Sequence, residues 1–354
     1  MSVIDLDGQP QRDSNAFGTP KCAESKREQY HAIQPMDARV PTAIWSTAVD
    51  RRAHLEHARL RPGRGFNPLR AALYYAQRGI VQPTIRSAIT ASLATVIKWR
   101  HPVNGCQGDS TWHVVEPAAI LRTLDTEGIA VLPERLSLQV ADMNRFLSDR
   151  PLVLRSGERV DLQRVPSGCT MADYPLETVL NCPHVLALAN SDFLICTATQ
   201  YLGCLPTIST LRVWWTFPGS ERQEVHSFHR DRDDWRGLTL FVYLTDVDED
   251  SGPHHFVRGS HRTRPERFWR AHEIESLEKA FGRDAIRVIT GEAGTAFLED
   301  SIGIHAGPAP IARPRLIFQV GYTLLPRFSL LYKPVEIGSR PAIDQYINRL
   351  YVRQ

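Results

Sequence analysis

The sequence lacks three features, and each absence argues against a class of protein. Its most apolar stretch, residues 185–205, is interrupted by polar side chains, so no segment reads as a membrane-spanning helix. Its six cysteines contain no C-x-x-C pair, so neither a zinc knuckle nor a disulfide scaffold is indicated. A net charge of only +3 gives no reason to expect nucleic acid or an anionic membrane as a partner.

The first residues also lack the basic and then apolar pattern of a signal peptide, because Met1 to Asp5 is polar and acidic. We therefore expect a cytoplasmic protein whose cysteines are reduced thiols. Cys182, Cys196 and Cys204 lie in apolar helical patterns, where buried thiols are expected. Nothing in the sequence indicates the oligomeric state.

Apolar periodicity divides the chain into four predicted regions. Residues 1–40 are polar without a periodic apolar face, which predicts a disordered segment. Residues 41–110 contain helical spacing, most clearly from Pro83 to Trp99, and predict a helical extension of unassigned role. Residues 111–335 form the predicted main domain, and residues 336–354 form a C-terminal tail.

Within this main domain, helical spacing gives way to strand alternation after Pro206. The predicted helices are Pro117–Thr126, Ser137–Leu147, His184–Ala189, Asp192–Leu202 and Ile274–Phe281. The predicted strands are Ile129–Leu132, Leu211–Thr216, Glu224–Arg230, Leu238–Leu244, Phe256–Arg258, Ile286–Ile289, Thr295–Leu298 and Arg315–Leu325. Helices followed by many short strands predict a mainly β fold with flanking helices (α+β), of the jelly-roll type.

One strand pattern places two potential metal ligands on the same side. Side chains alternate between the faces of a strand, so His229 and Asp231 point the same way, about 7 Å apart along the strand. This H-x-D tripeptide alone is a weak signal. His305, from a distant strand, would complete two histidines and one carboxylate, the set that holds iron(II) in non-haem oxygenases and leaves coordination positions open.

A buried arginine suggests the second component of the site. Arg315 opens a long apolar strand, and a guanidinium in that position needs a carboxylate partner, which it can bind with two parallel hydrogen bonds. A dicarboxylate co-substrate bound to the metal at one end would supply that carboxylate at the other. Arg313 is the alternative, although it lies in the Pro310–Pro314 loop.

The order of these and other motifs resembles the phytanoyl-CoA dioxygenase family over roughly residues 115–330. The residues that carry the resemblance are His229-Arg230-Asp231 with Trp235, the run 241–247, Ser251-Gly252-Pro253, Gly259-Ser260-His261, and the block from Gly294 through His305 to Arg315.

The resemblance implies a double-stranded β-helix of the cupin-like jelly-roll class that uses iron(II), 2-oxoglutarate and O2. It assigns His229, Asp231 and His305 to the metal, and Arg315 to the distal carboxylate of 2-oxoglutarate. Trp235 matches an aromatic residue that lines the co-substrate pocket in some relatives, although a packing role is equally open. The implied reaction is hydroxylation of a small-molecule or metabolite-derived substrate, with release of succinate and CO2.

Two positions depart from the family pattern, and a third bears on the reaction. Gly307 stands where several relatives have a serine that binds the co-substrate, and Arg258 stands where many have proline. Asp231 is present where halogenating enzymes have a small residue, which favours hydroxylation. His254, His255 and His261 lie in a turn-rich loop, and we expect them to face solvent or the rim of the substrate pocket.

Two other functions are compatible with parts of this pattern. One is a catalytically silent β-helix that binds a small molecule or a protein, and the other is a hydrolase with zinc at the same three ligands. The first leaves the intact triad unexplained, and the second gives Arg315 no purpose. The sequence names no substrate, and it leaves open whether residues 254–282 form a lid.

Overall fold

The computed structural model of the protein describes residues 56–102, 117–219, 226–265, 270–337 and 343–353. The predicted disordered segment, residues 1–40, lies outside the described residues. The four predicted regions and their boundaries stay predictions. No helix in the described ranges is long and apolar enough to span a membrane.

Two helices, α1 (Pro68–Gly79) and α2 (Pro83–Arg100), occupy the described part of the predicted helical extension. Each begins at a proline, whose fixed φ angle and missing N–H suit the first turn of a helix. The side chain of Asn67 caps α1 by accepting a hydrogen bond from the backbone N–H of Arg70 at 2.9 Å.

The remaining helices flank the strands and match the sequence pattern closely. They are α3 (Pro117–Glu127), α4 (Ser137–Leu147), α5 (Leu176–Asn181), α6 (Val185–Ala189), α7 (Asp192–Leu202), α8 (Ile274–Phe281) and α9 (Gln345–Asn348). Helix α7 ends at Gly203, whose φ of 80° is in the left-handed region that favours glycine. Helices α5 and α9 were not predicted.

Most strands belong to two antiparallel sheets. In chain order the strands are β1 (Glu56–His57), β2 (Ile129–Val131), β3 (Leu152–Leu154), β4 (Arg159–Val160), β5 (Met171–Asp173), β6 (Thr207–Thr216), β7 (Gly237–Tyr243), β8 (His254–Val257), β9 (Ile286–Ile289), β10 (Ala296–Asp300), β11 (His305–Ala306), β12 (Arg315–Thr323), β13 (Leu330–Leu331), β14 (Val335–Glu336) and β15 (Val352–Arg353). The large sheet has the order β2-β10-β7-β12-β6-β5-β3-β4, and the small sheet has the order β11-β8-β9.

The two faces of the large sheet belong to different cores. Side chains such as Leu240 and Phe318 pack with the helices in the main core. Side chains that alternate with them, such as Phe241 and Ile317, pack with Phe256 of the small sheet. The two sheets therefore face each other, which confirms the predicted mainly β fold with flanking helices and jelly-roll core. The strands do not join into one closed barrel in the described part of the chain.

One predicted strand is wrong. Of the predicted strand Glu224–Arg230, the described residues 226–230 form no regular strand. Phe228 and His229 make isolated bridges to His272 and His305 instead. Because each of these two residues bridges to a different partner, no continuous hydrogen-bonded ladder forms. The local sequence nevertheless has the alternation of residue types that is typical of a strand.

The expectation that all cysteines are reduced is also wrong, because Cys196 in α7 is disulfide-bonded. Cys182 and Cys204 are buried and free, as expected. Burial raises the pKa of the Cys182 thiol to about 12 and that of Cys204 to about 11, so both stay protonated at neutral pH.

The helical extension is attached through a buried arginine. Arg86 of α2 donates from Nη1 to the carbonyls of Gln77 and Ile80 at 2.7 and 3.0 Å. It donates from Nη2 to the carbonyls of Asp234 and Trp235 at 2.9 and 3.1 Å. One side chain thus joins α1 and α2 to the segment that directly follows Asp231.

We predict that Arg86→Met lowers the free energy of unfolding by about 2–4 kcal/mol, because it leaves three buried carbonyl groups and one half-buried carbonyl group without these donors. Chemical denaturation measures this loss, and Lys98→Met on the exposed face of α2 is the matched control. Equal stability of the two variants would contradict the role given to Arg86.

Candidate metal centre

A two-way backbone bridge joins the segments that carry the candidate ligands. The N–H of His229 donates to the carbonyl of His305, and the N–H of His305 donates back, both at 2.9 Å. The N–H of Asp231 donates to the carbonyl of Ser301 at 3.0 Å. Backbone pairing therefore fixes the three residues relative to one another before their side chains bind anything.

The side chains of His229, Asp231 and His305 converge. Each offers one ligand atom, and the three atoms lie within 4.8 Å of one another. The distance from His229 Nε2 to Asp231 Oδ1 is 3.7 Å. The ranges that the structure describes contain no other group of three such residues with this convergence.

Each histidine ring is oriented by a carbonyl two residues earlier in the chain. His229 Nδ1 lies 2.8 Å from the carbonyl of Ser227, and His305 Nδ1 lies 3.0 Å from that of Gly303. A carbonyl only accepts, so Nδ1 carries the proton and the lone pair of Nε2 is left for a metal. Burial lowers the pKa of His305, which keeps this ring neutral at physiological pH.

Asp231 is the most exposed of the three candidate ligands. His229 and His305 are both buried, whereas the side chain of Asp231 is 40% exposed. Among the described residues, solvent therefore reaches the cluster at Asp231.

Arg315 is a buried cation that has no anionic partner among the described residues. Within the same ranges its buried Nε and Nη1 atoms have no hydrogen-bond partner. Burial lowers its pKa, but a guanidinium keeps its proton in proteins. Arg315 is two residues from Ile317 in β12, so both side chains lie on the same face of the strand. Ile317 belongs to the core between the sheets, and Arg315 therefore points into that space.

The alternative arginine does not share this environment. Arg313 is exposed, and its Nη2 atom pairs with the carboxylate of Asp248. Of the two arginines that the sequence left open, only Arg315 is buried and lacks a carboxylate.

Trp235 lies in a different environment from Arg315. Its side chain belongs to the core that faces the helices, and the guanidinium of Arg86 lies 5.2 Å from its ring centre. This placement gives no support to a role in the co-substrate pocket, which stays a prediction from the resemblance.

Two buried residues behind the triad were not recognised in the sequence. Glu299 and His254 are hydrogen-bonded at 2.6 Å between Oε2 and Nε2. Burial raises the pKa of Glu299 to about 7 and lowers that of His254 to about 3. The expectation that His254 faces solvent or the pocket rim is therefore wrong, because β8 turns this side chain into the core between the sheets.

No family model matches this chain, and no curated protein matches it. Several solved structures are similar to it. The non-haem alpha-ketoglutarate-dependent carbocyclase SnoK from nogalamycin biosynthesis is 16% identical, with a TM-score of 0.42 over 61% of this chain and 87% of that one. EctD from S. alaskensis, solved with 2-oxoglutarate and 5-hydroxyectoine, is 21% identical, with a TM-score of 0.44 over 72% and 94%.

HygX from Streptomyces hygroscopicus, solved with nickel, 2-oxoglutarate and hygromycin B, is 18% identical. Its TM-score is 0.43 over 61% of this chain and 90% of that one. Identities and TM-scores at this level do not transfer an activity to this chain, so the function has to be inferred from the site itself.

We predict that Arg315→Met raises the free energy of unfolding by about 1–3 kcal/mol in buffer without carboxylates, because it removes an unpaired buried charge. Arg212→Met is the matched control, since Arg212 Nε donates to the buried carboxylate of Asp173 at 3.0 Å. The control loses about 3–5 kcal/mol because Asp173 is left unpaired. Similar losses in both variants, measured by denaturation, would mean that Arg315 already has a partner.

Proposed function

We propose that this protein is an iron(II)- and 2-oxoglutarate-dependent dioxygenase that hydroxylates a small-molecule or metabolite-derived substrate. One observation carries the proposal: three convergent metal-ligand side chains and a buried, unpartnered guanidinium adjoin the same space between the sheets. The first group suits a metal ion, and the second suits a carboxylate.

The donor set fits iron(II). Two neutral imidazoles and one carboxylate, with the remaining positions open, are typical of non-haem iron(II) oxygenases. We propose His229 Nε2, His305 Nε2 and the carboxylate of Asp231 as the ligands. The carbonyls of Ser227 and Gly303 support this role, because they keep both rings in the tautomer that a metal requires.

The buried arginine fits the co-substrate. A carboxylate of 2-oxoglutarate would give Arg315 the partner that it lacks, while the 2-oxo acid end would bind the metal. When bound, iron(II) and 2-oxoglutarate supply the activation of O2, and the co-substrate leaves as succinate and CO2. The protein contributes orientation, because Arg315 and His305 are held in strands β12 and β11, and backbone hydrogen bonds fix His229 to His305 and Asp231 to Ser301.

The zinc hydrolase is disfavoured by where the nearest buried carboxylate lies. A hydrolase needs a general base on the open side of the metal. Glu299 lies on the Nδ1 side of His305, at 3.9 Å from Oε1 to Nδ1, and so behind the ligand ring. A hydrolase would also leave Arg315 with no purpose.

The primary substrate reaches the metal from the Asp231 side in this proposal. We retain a small-molecule substrate, with no nucleic acid or membrane as a partner, and a cytoplasmic location as predictions. The oligomeric state is not part of the proposal.

The proposal predicts that anaerobic addition of iron(II) and 2-oxoglutarate produces a weak visible charge-transfer band.

Arg315→Met should weaken 2-oxoglutarate binding at least about 30-fold, since losing one partner of a buried charge pair costs about 2–5 kcal/mol. Asp231→Ala should lose metal binding and the band together. Absence of the band in the wild-type protein, with full hydrolytic activity in zinc, would overturn the proposal.

A further inference from the structure

Glu299 lies directly behind one candidate metal ligand. It is on the face of β10 that points between the sheets, opposite Thr239 of β7, and it is 1% exposed. Its two carboxylate oxygens face different histidines: Oε2 lies 2.6 Å from His254 Nε2, and Oε1 lies 3.9 Å from His305 Nδ1. The carboxylate of Glu299 therefore lies between the ring of His254 in β8 and the ring of His305 in β11.

His254 is itself held firmly. Its ring lies 5.2 Å from that of Phe241 and 5.1 Å from that of Phe297, measured between centroids. The same ring is stacked on His305, with centroids 5.7 Å apart and planes 20° apart. His254 is thus fixed by the core between the sheets, and it packs in turn against one face of the His305 ring.

His305 is consequently restrained on three sides. The carbonyl of Gly303 accepts from Nδ1 at 3.0 Å, Glu299 lies behind the ring, and His254 covers one face. Turning the ring would break its hydrogen bond to Gly303, while Glu299 and His254 limit the space on the other two sides. The ring can therefore present only Nε2 to the other ligand atoms.

We propose that Glu299, through its hydrogen bond to His254, positions His305 for metal binding. The inference rests on the proposed function, because it takes His305 as a metal ligand. Glu299 is a positioning residue, since it acts through His254 and His305 and not by contact with the metal or substrate. Groups hydrogen-bonded to a metal ligand commonly determine metal affinity as well as ring orientation, and Glu299 acts one contact further out, through His254.

The test is a titration of the full-length protein with Co(II), followed by the visible absorption of the bound metal. Glu299→Leu removes both oxygens, frees His254 and should weaken Co(II) binding about 10-fold, the lower end of the range for loss of a group bonded directly to a metal ligand. Glu299→Gln retains a side chain that can hydrogen-bond His254 and should recover an affinity close to that of the wild type. The Co(II) spectrum should shift in Glu299→Leu and return in Glu299→Gln.

Asp173→Asn is the matched control for loss of a buried carboxylate. Asp173 points into the same space but pairs with Arg212, and β5 lies four strands from β10, roughly 19 Å at the usual strand spacing. This control should lose stability without any change in Co(II) affinity or spectrum.

Three results would contradict the inference in distinguishable ways. No Co(II) binding by the wild-type protein would overturn the proposed function as well. Wild-type affinity and spectrum in Glu299→Leu, even with reduced stability, would overturn the positioning role alone. If Glu299→Leu does not fold, His254→Phe replaces it, because it retains a stacked ring but loses the bond to Glu299. Unchanged Co(II) binding in that variant would equally overturn the inference.

Discussion

The reciprocal backbone bridge between His229 and His305 is the contact on which the candidate site depends. Each residue donates to and accepts from the other at 2.9 Å, and the N–H of Asp231 donates to the carbonyl of Ser301 at 3.0 Å. These bonds join two segments that are far apart in the sequence. The ligands are therefore positioned by the fold of the main chain, so the side chains need little ordering when a metal binds.

The space beside this bridge contains the guanidinium of Arg315, a positive charge that has no anionic partner among the described residues. Arg315 is 3% exposed and has two donor nitrogens without partners, a state that costs folding free energy. Elsewhere in the same space, Arg212 has Asp173 beside it. This contrast between a paired and an unpaired buried arginine is the physical basis for proposing an anionic co-substrate at Arg315.

The sequence was informative where a pattern is local and less so where contacts are tertiary. Helices α4, α7 and α8 and strand β9 were predicted to the residue, because each has a complete apolar period. The triad and Arg315 were identified from residue type and spacing, and the structure brings the triad together. Glu299 and His254 were missed because only the packing of β8 against β10 makes them neighbours. The short strands β3 to β5 have too few residues to show alternation.

The most direct test of the account is a crystal structure of the full-length protein grown without oxygen in iron(II) and 2-oxoglutarate. The account predicts an anomalous iron peak about 2.0–2.2 Å from Nε2 of His229, Nε2 of His305 and the carboxylate of Asp231, distances usual for such ligands on a divalent transition metal. It also predicts a carboxylate of 2-oxoglutarate on the guanidinium of Arg315. Iron bound elsewhere, or Arg315 still without a carboxylate when 2-oxoglutarate is bound, would contradict it.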